Sequence, residues 1–317
     1  MTVLLTGYPG HLGRSLARRL VAGGHEVRAV LHRRAVDRRD RDPGVELVWG
    51  DVGEKESRDE LVAGVDAVVH AAWDFRRVPH AERVNVDGSV DLYGAAAEAG
   101  VGTFVFISSV AVYGLEPPPG GGPVGEDTPF VAEDRALDVY PWAKVRVERA
   151  LREQADDGPS LTVVRPGLLF GPNLAPAKRL VRGRYALLVG RGSNHLPYVH
   201  VADVADLVAR AVRRGASGTF NAVPSAAVGA DAFLRGWARR EGRDVRVVHL
   251  PPAVFAALSL GPYAVKRLLG RDATRPNVAY QTATALRDVR YSSARARREL
   301  GWEDVETRAV VEAAGLG

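Results

Sequence analysis

The chain has 317 residues, 46% of them apolar, with no cysteine and a formal net charge of +5. The length suits one large α/β unit or two domains sharing a cleft, and the apolar share is ample for a core. The lack of cysteine excludes disulfides, thiol catalysis and cysteine-bound zinc, and no apolar run reaches the ~18 residues that a membrane span requires.

The first apolar run, Val3-Leu4-Leu5-Thr6, leads into Gly7-Tyr8-Pro9-Gly10-His11-Leu12-Gly13, and Arg14 to Leu20 then reads as a helix. Strand, tight turn, helix is the physical reading. The first glycine permits the turn, the second lets a phosphate approach bare backbone, and the third lets helix and strand pack closely. The helix N-terminus offers free N–H groups and partial positive charge to an anion. The strand begins at Thr2, which leaves no room for a signal peptide. The expectation is therefore a soluble cytoplasmic protein with no membrane partner.

Glu26 to Leu31 reads as the second strand and runs into His32-Arg33-Arg34. The stretch from His32 to Asp42 interleaves five arginines with Asp37, Asp40 and Asp42. Only four of the 43 basic residues of the chain are lysines, so arginine here reflects composition as much as place. Mixed charges describe a solvated loop, and no nucleic-acid partner is expected. Val45 to Trp49 reads as a third strand closing on Gly50-Asp51-Val52, Glu54 to Ala63 as a short helix, and Ala67 to Ala72 as a buried strand. Ala81 to Ala99 reads as a helix, and Thr103 to Ile107 as a strand ending at Ser108-Ser109. Alternation with short links predicts a Rossmann-type doubly wound parallel sheet, with ligands at the carboxyl ends of its strands.

Glu116 to Pro129, with its run of prolines and glycines, reads as a surface loop bordering the substrate mouth. A helix follows from Asp138, a candidate cap, to Gln154, with Pro141 tolerable in the first turn. Leu161 to Val164 is a strand before Arg165-Pro166-Gly167. Beyond it the rhythm loosens. Pro197 to His200 reads as extended and Asp203 to Arg213 as helical. Thr219 to Val223 reads as a strand returning to the sheet. Asp231 to Arg240, Ala253 to Leu260, Val265 to Leu269 and Ser292 to Leu300 read as helices, and Val245 to Leu250 as a strand. The expected division is a nucleotide-binding domain over 1–166, rejoined by 201–223, and a smaller C-terminal substrate lobe over 167–200 and 224–317.

Tyr140-Pro141-Trp142-Ala143-Lys144 is the informative pentapeptide. Four-residue spacing puts phenol and ammonium on one helix face, about one turn apart. A phenol of pKa ~10 is a poor acid–base group at neutral pH. A nearby cation favours phenolate and lowers that value. Ser109, at a strand end, could share a substrate oxygen with such a phenol. No His/Asp/Glu spacing suggests a metal.

These pieces together resemble the extended short-chain dehydrogenase/reductases. The resemblance rests on the glycine turn, Gly50-Asp51-Val52, His70-Ala71-Ala72, Asn85 to Gly88, Ser108 to Gly114, Tyr140 to Lys144 and Arg165 to Pro172. It extends through Tyr198 to Ala205 and Ala296 to Trp302. It implies catalytic roles for Ser109, Tyr140 and Lys144, with Lys144 also on the nicotinamide ribose. It puts Gly7, Tyr8, Gly10, His11, Leu12 and Gly13 on the cofactor, Asp51 and Val52 at the adenine, Ala71, Ala72 and Trp73 along the cofactor, and Pro166 and Leu168 beside the nicotinamide. Trp73, Phe75, Ser109 and Val110 are the candidate substrate contacts. His70, His200 and Asp203 are expected to tie structure rather than act on substrate.

NAD-specific sheets place an acid at the end of the second strand. Here His32, Arg33 and Arg34 stand there instead, which predicts NADP(H), with Arg33 as principal phosphate ligand; NAD(H) is the second choice. Dehydratases of the family carry an Asp-Glu pair where this chain has Val110 and Ala111, so that activity is not expected. The tail from Lys266 to Arg271 and from Tyr291 to Trp302 looks like the dihydroflavonol-reductase and 3β-hydroxysteroid-dehydrogenase branch. The expected function is hydride transfer between nicotinamide and a ketone or secondary alcohol of a small organic substrate. A nucleotide-sugar epimerase holding NAD is the runner-up, and a non-catalytic cofactor sensor comes last because Tyr140 and Lys144 are both present. A homodimer is an open assembly.

Overall fold

A computed structural model describes residues 1–32, 36–37, 41–74, 79–172, 181–182, 184–271 and 276–315. Seven strands form one fully parallel sheet: β1 (Thr2–Thr6), β2 (Glu26–Leu31), β3 (Val45–Trp49), β4 (Ala67–His70), β5 (Thr103–Ile107), β6 (Ser160–Pro166) and β11 (Gly218–Ala222). Their order is β11-β6-β5-β4-β1-β2-β3. The order reverses between β1 and β4, and that switch point opens a crevice beyond the strand ends. The strands read as near-continuous apolar runs because both faces are covered.

Alternate side chains feed two cores. Val3 and Leu5 face helices α1 (His11–Ala22) and α5 (Val201–Arg214), joined by α9 (Ala294–Leu300) and the fully buried Trp302. Leu4, Val68, Phe104 and Phe106 face α2 (Lys55–Val62), α3 (Pro79–Glu98) and α4 (Val139–Glu153). Asp138 caps α4 by accepting the N–H of Tyr140, as the sequence suggests.

The other strands among the described residues are β7 (Leu168–Phe170), β8 (Val181–Arg182), β9 (Tyr185–Val189), β10 (Tyr198–His200) and β12 (Arg246–Leu250). They form a β10-β7 pair and a β12-β9-β8 sheet beside the main one. Helices α6 (Ala230–Arg240), α7 (Pro252–Leu268), α8 (Val278–Leu286) and α10 (Val305–Ala313) accompany them. His200 caps α5 by accepting the N–H of Ala202, and the Asp203 carboxylate takes the N–H groups of Glu306 and Thr307. With the His200 N–H donating to Thr307 Oγ1, these bonds tie the start of α5 to the start of α10.

Three readings differ from the sequence. Gly261-Pro262 suggests a break, yet α7 runs through it; the carbonyl that Pro262 crowds belongs to the exposed Leu258 and can turn to water. The fourth strand stops at His70 rather than Ala72, because the N–H groups of Ala71 and Ala72 go to Thr6 Oγ1 instead of the ladder. Strands β7 to β9 and helices α8 and α10 are not among the expected elements and fall where the strand–helix rhythm of the sequence loosens, although β9 is a continuous apolar run.

Candidate active site

The crevice at the switch point is a cleft of about 2190 Å3. The glycine turn forms one wall. Gly7 has φ +81°, and a Cβ there would sit 2.7 Å from the Ala71 carbonyl carbon. A Cβ on Gly13 would sit 2.2 Å from the Gly7 oxygen. Gly10 precedes α1, which has no side-chain cap and no acid in its first turn. A backbone cradle with free N–H groups suits a dinucleotide pyrophosphate. Pro9, His11, Leu12, Asp51, Val52, Ala71, Ala72, Trp73, Pro166 and Leu168 also line the cleft.

Tyr8 does not offer its side chain there. It is fully buried, and its hydroxyl donates to Asp42 Oδ2 at 2.8 Å while accepting the Asp42 N–H. Its contribution to a ligand is confined to backbone. His32 lines the cleft, with Nδ1 3.4 Å from Asp51 Oδ2. Arg33, Arg34 and Phe75 lie outside the described residues.

A hydrogen-bond chain fixes the opposite wall. Ser89 donates its one proton to the Asn85 carbonyl (2.5 Å), so it accepts from His70 Nε2 (2.9 Å). That leaves His70 Nδ1 to accept from the Thr6 hydroxyl at 2.7 Å. Burial first, then the Lys144 charge, pushes the His70 pKa down to about 3. This histidine is a neutral structural link. The Asn85 side chain exchanges two 2.8 Å bonds with the backbone of Asp74 and so holds the segment beyond Trp73.

Ser109, Tyr140 and Lys144 all line the cleft. Tyr140 is hydrogen-bonded to Ser109, which also accepts the N–H of Ala111. The neighbouring Ser108 points the other way and donates to the buried Glu148 at 2.5 Å. Lys144 Nζ donates to the Ile107 carbonyl at 2.7 Å and lies 3.5 Å from the Trp73 ring centre. The Trp73 ring also meets Tyr140 edge-on.

The electrostatics differ from the expectation of a lowered phenol. Burial pushes Tyr140 up, with the Ser109 hydrogen bond opposing. Burial likewise pushes the Lys144 ammonium well below its ordinary range, with Glu148 opposing. Desolvation therefore outweighs the pairing that spacing alone suggests, because the same low-dielectric site penalises both charged forms.

A family model described as the NAD dependent epimerase/dehydratase family matches residues 3–222. The chain belongs to the NAD-dependent epimerase/dehydratase family. It is an NAD(P)-dependent enzyme of the extended short-chain dehydrogenase/reductase type. It is 30% identical over 315 residues to the 4-hydroxy-2-methyl-3-oxo-4-farnesyl-3,4-dihydroquinoline-1-oxide ketoreductase of Stigmatella aurantiaca, covering 95% of this chain and 92% of that one. It is 28% identical to sterol demethylase protein B of Methylococcus capsulatus, covering 98% and 95%. Its fold is similar to that of a UDP-glucose 4-epimerase from Thermotoga maritima, with TM-score 0.76, 19% identity and 100% and 98% coverage.

The C-terminal region closes the far end of this epimerase/dehydratase-family cleft with residues that sequence reasoning missed. Tyr280 and Thr284, one turn apart on α8, line it with His195, Leu196, Arg287 and Tyr291. Burial first, then the Tyr140 phenol, pushes Tyr280 up to about 12. The i, i+4 pair was the available signal, hidden in a helix rich in alanine and threonine. Val110 is buried in an apolar cluster with Val112, Tyr113 and Val124, and reaches the cleft as well. Val124 pairs with Tyr291 and exchanges backbone bonds with Arg290 and Ser292, which pins the second half of the 116–129 loop.

Proposed function

We propose that this enzyme is an NADP(H)-dependent ketoreductase acting on a lipophilic ketone, with Ser109, Tyr140 and Lys144 as its catalytic residues. The observation that carries the reading is the Tyr140–Ser109 hydrogen bond in the cleft between the glycine cradle and the C-terminal wall. A nicotinamide held in the cleft would supply or take the hydride. Tyr140 delivers the proton to the developing alkoxide, a transfer that its neutral, buried hydroxyl is suited to make. Ser109 donates a hydrogen bond to the same oxygen. Lys144, held by the Ile107 carbonyl one helical turn from Tyr140, would bind a ribose hydroxyl of the cofactor and supply positive charge on the phenol's side of the helix.

The wall beyond Tyr140 favours an apolar substrate over a sugar nucleotide. Leu115, Val139, Leu196, Tyr280, Val289 and Tyr291 supply it, and among the described residues Arg287 and His195 are its basic groups. Each already faces an acid: Arg287 lies 3.7 Å from Glu116, and His195 is 2.7 Å from Asp288. A diphosphate placed at this wall would meet basic groups that already face carboxylates. The Stigmatella relative is by its name a ketoreductase of a farnesylated substrate, which agrees. For the cofactor, His32 stands at the end of β2 where an NAD enzyme carries an acid, and Arg33 follows it as the proposed ligand of the 2′-phosphate.

The test is the nicotinamide absorbance of protein with NADPH or NADH and a panel of soluble and lipophilic ketones. Net NADPH oxidation supports the reading. Interconversion of nucleotide sugars without net oxidation would establish the epimerase instead. Dissociation constants for the two cofactors, in wild type and Arg33→Ala, decide the phosphate ligand: the variant should lose at least about tenfold of its NADPH preference, since a charge-assisted bond is worth ~1.5–3 kcal/mol.

A further inference from the structure

Helix α7 has an open apolar face. Phe255, Ala256, Leu260 and Tyr263 are half-buried on one side, and none of the 17 residues is buried. On the other side Val254, Leu258, Val265, Leu268 and the adjoining Leu269 are 43%, 56%, 55%, 86% and 64% exposed. Their spacing puts them on one stripe along the helix. A surface helix of a globular protein turns polar side chains to water. This one has no charge from Pro251 to Val265. Its charges, Lys266 and Arg267 with Arg271 just beyond, are all positive and gathered at one end.

We propose that this face docks on an anionic lipid surface. The stripe supplies the apolar area that enters the headgroup boundary, and the basic end supplies attraction to acidic headgroups. The charge pattern favours this occupant over a second copy of the chain, because residues 251–271 carry three basic residues and no acid, the first acid being Asp272 just after Arg271. The helix lies on the surface rather than through it: among the described residues no helix is long and apolar enough to cross a membrane. Attachment of this kind requires no spanning run, so the lack of one in the sequence does not oppose it. Helix α7 packs on α8, whose Tyr280 and Thr284 wall the cleft. Docking therefore brings the substrate mouth toward the bilayer, a consequence that rests on the ketoreductase reading; the docking itself does not.

The experiment is co-sedimentation of the full chain with vesicles of phosphatidylglycerol and phosphatidylcholine, against pure phosphatidylcholine, with sedimentation velocity in lipid-free buffer. The expected result is binding to the anionic vesicles, weakened at least about tenfold by the double substitution Leu258→Asp with Leu268→Asp and by added salt. Lys266→Glu with Arg267→Glu should abolish the preference for acidic lipid. All variants should melt at the wild-type temperature, because the substituted side chains are exposed. Failure to bind either vesicle overturns the proposal. So does a lipid-free dimer that the double aspartate variant dissociates. A chain that binds anionic vesicles but reduces no ketone leaves docking intact and removes the catalytic reading instead.

Discussion

Glu148 holds the guanidinium of Arg165 through two hydrogen bonds, 3.0 Å from Oε1 to Nε and 2.6 Å from Oε2 to Nη2, with both side chains excluded from water. Arg165 Nη1 donates onward to the Tyr113 hydroxyl at 2.5 Å, which donates to Asn221 at 2.8 Å. The pair joins α4 to β6 directly beneath Ser108 and one turn beyond Lys144. Position and orientation of the helix that carries Tyr140 and Lys144 therefore depend on it.

Removing one partner should be far worse than removing both. Glu148→Gln leaves a buried guanidinium without its counter-charge and should lose ~3–5 kcal/mol of stability. Glu148→Gln combined with Arg165→Met should recover most of that loss. Urea unfolding of the two variants, followed by circular dichroism, checks the order; equal losses would mean that the pair is not the source.

The two serines should separate cleanly. Tyr140→Phe keeps the ring and removes the proton, so turnover should fall by ~10²–10⁴ with cofactor affinity unchanged. Ser109→Ala should slow the same step through loss of an oxyanion donor. Ser108→Ala should act mainly on stability, because its hydroxyl bonds Glu148 and not Tyr140. Single-turnover rates and melting temperatures distinguish these outcomes, and a larger rate loss at Ser108 would reverse the assignment.

Gly13→Ala tests the cradle. The added methyl would meet the Gly7 carbonyl oxygen at 2.2 Å, which is backbone and cannot step aside cheaply. A destabilisation of ~1–3 kcal/mol is expected, together with a large loss of dinucleotide affinity by fluorescence titration. Gly122→Ala, where a Cβ meets nothing within 4 Å, is the control and should change neither.

His70 should produce an acid-labile fold. The unfolded chain protonates this residue near 6.5, but the folded protein only near 3. Below 6.5 the unfolded state thus binds the extra proton. Stability should fall by up to ~1.4 kcal/mol per pH unit as pH drops through that window, and the contribution is intact above it. His70→Gln removes the titration. The wild-type-minus-variant difference in unfolding free energy should therefore slope between pH 6 and pH 4 and flatten above pH 7.5. A difference independent of pH would contradict the buried neutral imidazole.

Much of the site was legible because its logic is local. Apolar runs doubly covered by helices, a glycine turn between strand and helix, and Tyr140 and Lys144 one turn apart follow from backbone periodicity and sterics over a few residues. The tertiary structure decided whatever depends on docking between distant segments. It turned Tyr8 away from the crevice to Asp42 and chose Ser109 over Ser108 as the partner of Tyr140. It paired Glu148 with Arg165 and brought Tyr280 and Thr284 to a cleft that Tyr140, far upstream in the chain, also lines. It also reversed the expected direction of the Tyr140 pKa, since spacing specifies which groups are neighbours, while the desolvation that sets their charge depends on how deeply the packed lobes bury them.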